Sequence, residues 1–221
     1  MKSFERISDM VWTWSELHGS GHSTCEWHSF VILTPQGMPA LVDPLPLSDR
    51  MIDELEKAGP PHEIFITSSW HVRDALKLAN RWNSRILAHR LGKGCIEAPI
   101  GETVSEGDRL WGAARVCHLP FADVPEETGL FIESHPGVLI VGDAFCGPRT
   151  DIAVPPGEVA IYPSLRIPDP AAHASMLRRL LDLPFEVLAF GHGQVLDHDA
   201  RGSLERLIGR IEKTNREPKS G

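Results

Sequence analysis

Four polar residues stand at the ends of apolar runs, and their types suit metal or acid–base chemistry. Asp43 follows Leu41-Val42. His71 follows Ile64-Phe65-Ile66 and a short polar stretch. Asp143 follows Val138 to Val141 and Gly142, and His192 follows Val187 to Phe190 and Gly191. Apolar, β-branched runs of this length read as strands buried on both faces. The ends of adjacent strands in α/β sheets tend to line one crevice. Carboxylate plus imidazole at such a crevice suits a divalent ion, with zinc first and manganese or iron as alternatives. Each residue also has a plainer use. Asp43 and Asp143 could accept turn hydrogen bonds, His71 could cap a helix, and Gly191-His192-Gly193 could be a solvated turn. The shared placement at four strand ends favours the crevice.

A second group lies in the polar stretch from Ser15 to His28, which reads as a loop. It holds His18, His22, Cys25 and His28 at spacings of four, three and three, with Glu26 between. Donors this dense could hold zinc or another transition metal, although the spacing matches no zinc template. The alternative is a polar flap. Cys117 and His118 are strand neighbours and point to opposite faces. Cys146, three residues past Asp143, is a neighbour of the crevice or a small buried apolar group.

The elements that must position these residues follow in order. Strands are expected at 11–14, 30–33 and 40–42, the last two as a hairpin around Pro35-Gln36-Gly37. Ser48 caps a helix through Met51, Ile52 and Leu55, stopped at Gly59-Pro60-Pro61. Strands at 64–66 and 86–88 flank a helix starting near Val72, a βαβ-like unit. Residues 92–101 read as loop. Short β runs follow at 110–111, 114–117, 129–132 and 138–141. The proline-rich stretch 148–170 has no clean period and reads as a lid or a long connection. A helix over 171–183, a strand over 187–190 and a last amphipathic helix around Leu204 to Ile211 complete the chain.

The 221 residues can build one substantial core. A net charge of −8 argues against nucleic-acid and anionic-membrane partners. No apolar run approaches the roughly 20 residues that span a bilayer. The start lacks the apolar stretch of a signal peptide, and four widely spaced cysteines suit free thiols, so the expected compartment is the cytoplasm.

Leu41-Val42-Asp43, the strand-turn-helix at 64–75, Leu139 to Phe145 and Ala189-Phe190-Gly191-His192-Gly193 together resemble the metallo-β-lactamase fold superfamily, over about residues 12–211. The resemblance implies a single-domain, four-layer αβ/βα sandwich with the site at one edge between two sheets. It also implies hydrolysis by a water held between two metals. The family's Thr-His-x-His-x-Asp-His motif is eroded to Thr67-Ser68-Ser69-Trp70-His71-Val72-Arg73-Asp74. In the register that matches His71 to the second histidine, Ser69, Arg73 and Asp74 replace the first histidine, the aspartate and the last histidine. Ala122 stands where a further ligand histidine would be, whereas Asp143 and His192 are retained.

The implied ligand set is therefore His71, Asp143 and His192 around at most one metal, with Asp74 or the loop residues His18, His22, Cys25 and His28 as further ligands. Asp43 supports from behind, and His71 and Asp143 serve the chemistry. Three functions fit. The first is a one-metal hydrolase. The second is a metal-free binding protein for a small anion or metabolite, with Arg73 recognising the anion. The third is an assembly role in which exposed Trp12, Trp14 or Trp27 form a homo-oligomer surface.

Overall fold

The computed structural model describes residues 3–20, 23–162 and 165–214. One sheet contains β1 (Glu5–Arg6), β2 (Val11–Ser20), β3 (Ser23–Leu33), β4 (Pro39–Val42), β5 (Glu63–Ile66), β6 (Arg85–His89) and β7 (Ile100–Val104), in that order. It is antiparallel from β1 to β4 and parallel from β4 to β7. The other contains β8 (Arg109–Leu110), β9 (Ala114–His118), β10 (Thr128–Ile132), β11 (Val138–Val141) and β12 (Val187–Phe190), ordered β12-β11-β10-β9-β8. Only β11 and β12 pair in parallel there. The helices are α1 (Asp49–Ala58), α2 (Ala75–Trp82), α3 (Pro170–Arg178) and α4 (Ala200–Thr214).

Strand alternation sorts the apolar side chains into three cores. Phe30, Ile32, Val42 and Phe65 meet Val116, Leu130, Ile140 and Ala189 between the sheets. Their neighbours Val31, Leu41, Ile64 and Ile66 face outward onto Met51 and Leu55 of α1 and Leu78 of α2. On the other side Phe131, Leu139, Val141 and Phe190 pack on Leu177 of α3 and Leu204 of α4. Every central strand is thus covered on both faces, which explains its near-continuous apolar run. The product is the four-layer αβ/βα sandwich.

The helix starts are made by local chemistry. Ser48 Oγ accepts from Met51 N, and Asp169 Oδ1 accepts from Ala171 N and Ala172 N at 3.0 Å each, with Pro170 opening the first turn of α3.

Three expectations change. Residues 15–20 and 23–28 are not loop but the outer arms of a long hairpin, β2 paired with β3 in unbroken register from Val11↔Ile32 to Ser20↔Ser23. Polar residues fall on both faces among the few apolar ones, which hides the period that would mark a strand. They still pair across it, as in Ser15 Oγ to Glu26 Oε1 at 2.9 Å. Residues 100 and 101, the end of the expected loop, instead open the edge strand β7. Helix α2 begins at Ala75, after a short 3₁₀ turn over Ser69–His71.

The aromatics expected at the surface are also elsewhere. Trp14 is buried, edge-on to Phe4 at 5.7 Å, and Trp12 and Trp27 are half-buried. Trp70 is the exposed tryptophan. Among the described residues no helix is long and apolar enough to cross a membrane.

Candidate metal centre

The parallel pairing of β11 and β12 brings two of the four residues together. Val141 lies opposite Phe190, so Asp143 and His192 each stand two residues past the last matched pair. The parallel pair β4 and β5 does the same in the other sheet. Val42 lies opposite Phe65, and Asp43 N then donates to Phe65 O at 3.0 Å. The two strand ends are joined across the sandwich. Thr128 N and Oγ1 both donate to Thr67 O at 3.0 Å, and His28 N donates to Gly191 O at 2.9 Å.

Two glycines let the sheets close this tightly. A Cβ on Gly142 would come within 2.3 Å of Thr67 Oγ1 and 2.6 Å of Glu127 Oε1. A Cβ on Gly191 would meet His71 Cε1 at 2.6 Å. Both contacts are closer than real side chains approach, so the absence of a side chain is a packing requirement.

His71, Asp143 and His192 form one buried cluster whose donor atoms all lie within 4.8 Å of one another. His71 Nε2 is 3.4 Å from Asp143 Oδ2, His192 Nε2 is 3.0 Å from Asp143 Oδ1, and the two Nε2 atoms are 3.3 Å apart. Behind His71, Nδ1 donates to Asp43 Oδ2 at 2.8 Å. Asp43 is itself held by Thr67 N at 2.8 Å and Thr67 Oγ1 at 2.6 Å. With its proton on Nδ1, a neutral His71 turns the Nε2 lone pair into the crevice. Behind His192 stands a thiol instead, Cys25 Sγ at 3.9 Å from Nδ1.

These residues fit a single divalent ion. Two imidazole nitrogens and a carboxylate converge, and one histidine carries the carboxylate support usual behind metal ligands. Asp143 Oδ1 has no hydrogen-bond partner among the described residues, because His192 Nε2 is close but poorly aligned for one. A carboxylate oxygen left this way suits coordination better than proton sharing.

The electrostatics are strongly asymmetric. Burial opposes a charge on His71, but the Asp143 and Asp43 carboxylates outweigh it and Arg73, and raise the imidazole to about 9. His192 goes the other way. Burial lowers it to about 4 against the pull of Asp143. Burial alone would raise Asp143, yet the two histidines hold it well below the usual carboxylate range. Glu127 is fully buried and accepts from Asp143 N at 3.0 Å. Burial, then the Asp143 charge, push its carboxyl well above its ordinary value.

The remaining sequence candidates divide. Arg73, in the left-handed region at φ 44°, turns its guanidinium onto the backbone. Nη1 donates to His28 O at 2.5 Å and Asp43 O at 3.0 Å, and Nη2 reaches Gly191 O at 3.5 Å. It therefore ties three chain segments together rather than presenting its fork to an anion. Asp74 lies outside the cluster, at the start of α2, with Lys77 Nζ at 3.5 Å. The hairpin separates the presumed loop ligands by strand alternation. His18 and Cys25 are cross-strand partners on the Trp27 face, with His18 stacked on Trp27 at 3.8 Å. His28 points to the other face, against Thr13 Oγ1 at 3.2 Å and Glu26. They do not converge as a set, and His22 lies outside the described residues.

Sequence reading missed Thr67 and Glu127. Thr67 directly follows the β5 run and could have been found as a strand-end hydroxyl. Glu127 has no spacing signal.

An αβ/βα sandwich with a histidine–aspartate–histidine cluster at the joined strand ends defines the class. The chain belongs to the metallo-beta-lactamase superfamily, whose family model matches residues 1–210. No curated protein matches it. Among solved structures it is similar to the flavodiiron core from Synechocystis sp. PCC6803, at 15% identity and TM-score 0.69, covering 96% of this chain and 61% of that one. A flavoprotein from Thermotoga maritima matches at 15% identity and TM-score 0.69, covering 100% and 63%. A metallo-beta-lactamase from Pontibacter korlensis matches at 13% identity and TM-score 0.68, covering 95% and 99%. The chain thus spans less than two thirds of the flavodiiron core and of the flavoprotein but nearly the full length of the lactamase. At these identities the likeness is one of fold.

Proposed function

We propose that the chain is a metal-dependent hydrolase with a one-metal site, its ligands His71 Nε2, the Asp143 carboxylate and His192 Nε2. The convergence of these three donor groups within 4.8 Å carries the reading. A divalent ion bound there supplies Lewis acidity and a hydroxide nucleophile near neutral pH. The protein's own part is to hold the donors in place. Asp43 fixes the His71 tautomer, the β11–β12 register sets Asp143 beside His192, and buried Glu127 fixes the Asp143 backbone. Zinc is the first candidate, then manganese or iron.

Metal content by elemental mass spectrometry tests this, on the native chain and on Asp143→Asn and His192→Ala. The expected result is about one ion per chain, lost in both variants, with turnover of an ester, thioester or phosphodiester by the loaded protein. A folded native chain that takes up no zinc, manganese or iron would overturn it.

A second reading has one observation in its favour. With His71 raised to about 9, an imidazolium between Asp43 and Asp143, together with the neighbouring Arg73 guanidinium, balances the two carboxylates without any ion. The same scaffold would then be a metal-free binding protein for a small anion or metabolite. Its mark is ligand binding that survives chelation.

A further inference from the structure

The two histidines of the cluster are held by different means. His71 has the Asp43 carboxylate behind Nδ1 at 2.8 Å. Behind His192 Nδ1 stands the Cys25 thiol at 3.9 Å, and sulfur is a weak acceptor. Burial pushes that thiol up to about 11, so it stays neutral. The chain neighbours Gly191 and Gly193 have no side chains to brace the ring. A histidine χ2 torsion has no sharp preference of its own. The plane of His192 is therefore set by packing.

Trp27 supplies that packing from the hairpin. Its backbone forms an antiparallel bridge with His192. The bridge is flanked by His28 N donating to Gly191 O at 2.9 Å and Gly193 N donating to Glu26 O at 3.0 Å. The indole stands at 90° to the imidazole, with ring centres 5.2 Å apart. The indole is braced in turn. The β2–β3 register sets Glu16 opposite Trp27 and His18 opposite Cys25, which makes His18 the diagonal neighbour of Trp27 on one face. The His18 ring lies on the indole at 3.8 Å and 17°. The Arg73 guanidinium carbon lies 5.5 Å from the indole centre. Tyr162 packs on His192 as well, at 5.4 Å and 40°.

Edge-to-face aromatic pairs have a preferred mutual angle, which an aliphatic neighbour does not impose. We propose that Trp27 is the positioning residue of His192. Its perpendicular contact holds the imidazole plane so that Nε2 stays on Asp143, in place of the hydrogen-bonded support that His71 has. The effect on metal affinity rests on reading the cluster as a metal centre; the hold on the ring does not.

Histidine labelled with ¹³C at Cε1 tests this, with His71 and His192 assigned by the signals lost in His71→Ala and His192→Ala. Relaxation dispersion on the full chain in EDTA reads ring motion on the microsecond-to-millisecond scale. Neither ring is expected to show exchange in the native chain. In Trp27→Leu, exchange is expected at His192 alone, because Asp43 still holds His71. Trp27→Phe, which keeps an aromatic ring at that hairpin position, should restore the native behaviour. Should Trp27→Leu not fold, Trp27→Met serves with the same expectation. In parallel, competition against a zinc chelator should show affinity about tenfold weaker in Trp27→Leu and near native in Trp27→Phe. A folded Trp27→Leu chain with no exchange at His192, or with zinc affinity equal to that of a zinc-binding native chain, overturns the proposal. Exchange at His71 and His192 together overturns it too, since that is a general loosening of the centre. A native chain that takes up no zinc, with exchange confined to His192 in Trp27→Leu, removes the metal reading and supports the hold of Trp27 on the ring.

Discussion

His71 Nδ1 lies 2.8 Å from Asp43 Oδ2, and this contact decides what the crevice can do. Asp43 accepts that proton together with the Thr67 hydroxyl and amide, so its orientation is fixed from three directions. The other ring nitrogen then faces Asp143 and His192. His192 has only a neutral thiol behind it, so the two histidines are unequal ligands.

Replacing Asp43 by asparagine should therefore weaken metal binding by about 10- to 100-fold, the usual cost of losing such support. Competition against a chromogenic zinc chelator would measure it. Unchanged affinity in the folded variant would mean that Asp43 does not set the His71 tautomer.

Gly142→Ala tests the closure of the two sheets. The new methyl would meet Thr67 Oγ1 at 2.3 Å and the buried Glu127 carboxyl at 2.6 Å. Strain of this kind costs about 1–3 kcal/mol. Urea unfolding should show a lower midpoint with an unchanged slope, and metal content should fall with it because Asp143 is the next residue.

Arg73→Lys should destabilise the chain by about 2 kcal/mol, since an ammonium cannot reach the carbonyls of His28, Asp43 and Gly191 together. Urea unfolding would measure it, and an unchanged midpoint in the folded variant would mean that these contacts do not hold the three segments together.

His89 gives a pH dependence away from the metal centre. It is buried against His118, ring centres 4.0 Å apart, and burial, then the neighbouring His118 and Arg90, lower it from 6.5 to about 4. Because the unfolded chain binds this proton more readily, the contribution is complete above pH 6.5. It falls away as the pH drops toward 4, by up to about 3 kcal/mol. Denaturant midpoints at pH 7.5 and 5 should differ more in the native chain than in His89→Asn, which keeps an acceptor for Leu91 N. Equal differences would show that His89 does not titrate in this way.

Much of this protein is legible in the order of its residues. The apolar runs at 40–42, 64–66, 138–141 and 187–190 are strands because only a two-sided core accommodates them, and the polar residues just after each run had to lie at an edge. Asp43, Asp143 and His192 could be found on that ground, and His71 by its place before α2. Local pattern failed where polar side chains fall on both faces of an element, as at residues 15–20 and 23–28 of the hairpin, which pair strand to strand, while its base at 11–14 and 30–33 carries the buried residues and was legible. It also had no means of placing Arg73: only the packed chain decides that its guanidinium meets the carbonyls of His28, Asp43 and Gly191. Which donors meet is likewise tertiary: the β11–β12 register and two side-chain-free positions, Gly142 and Gly191, place atoms from both sheets within coordination distance, and no spacing in the sequence encodes that approach.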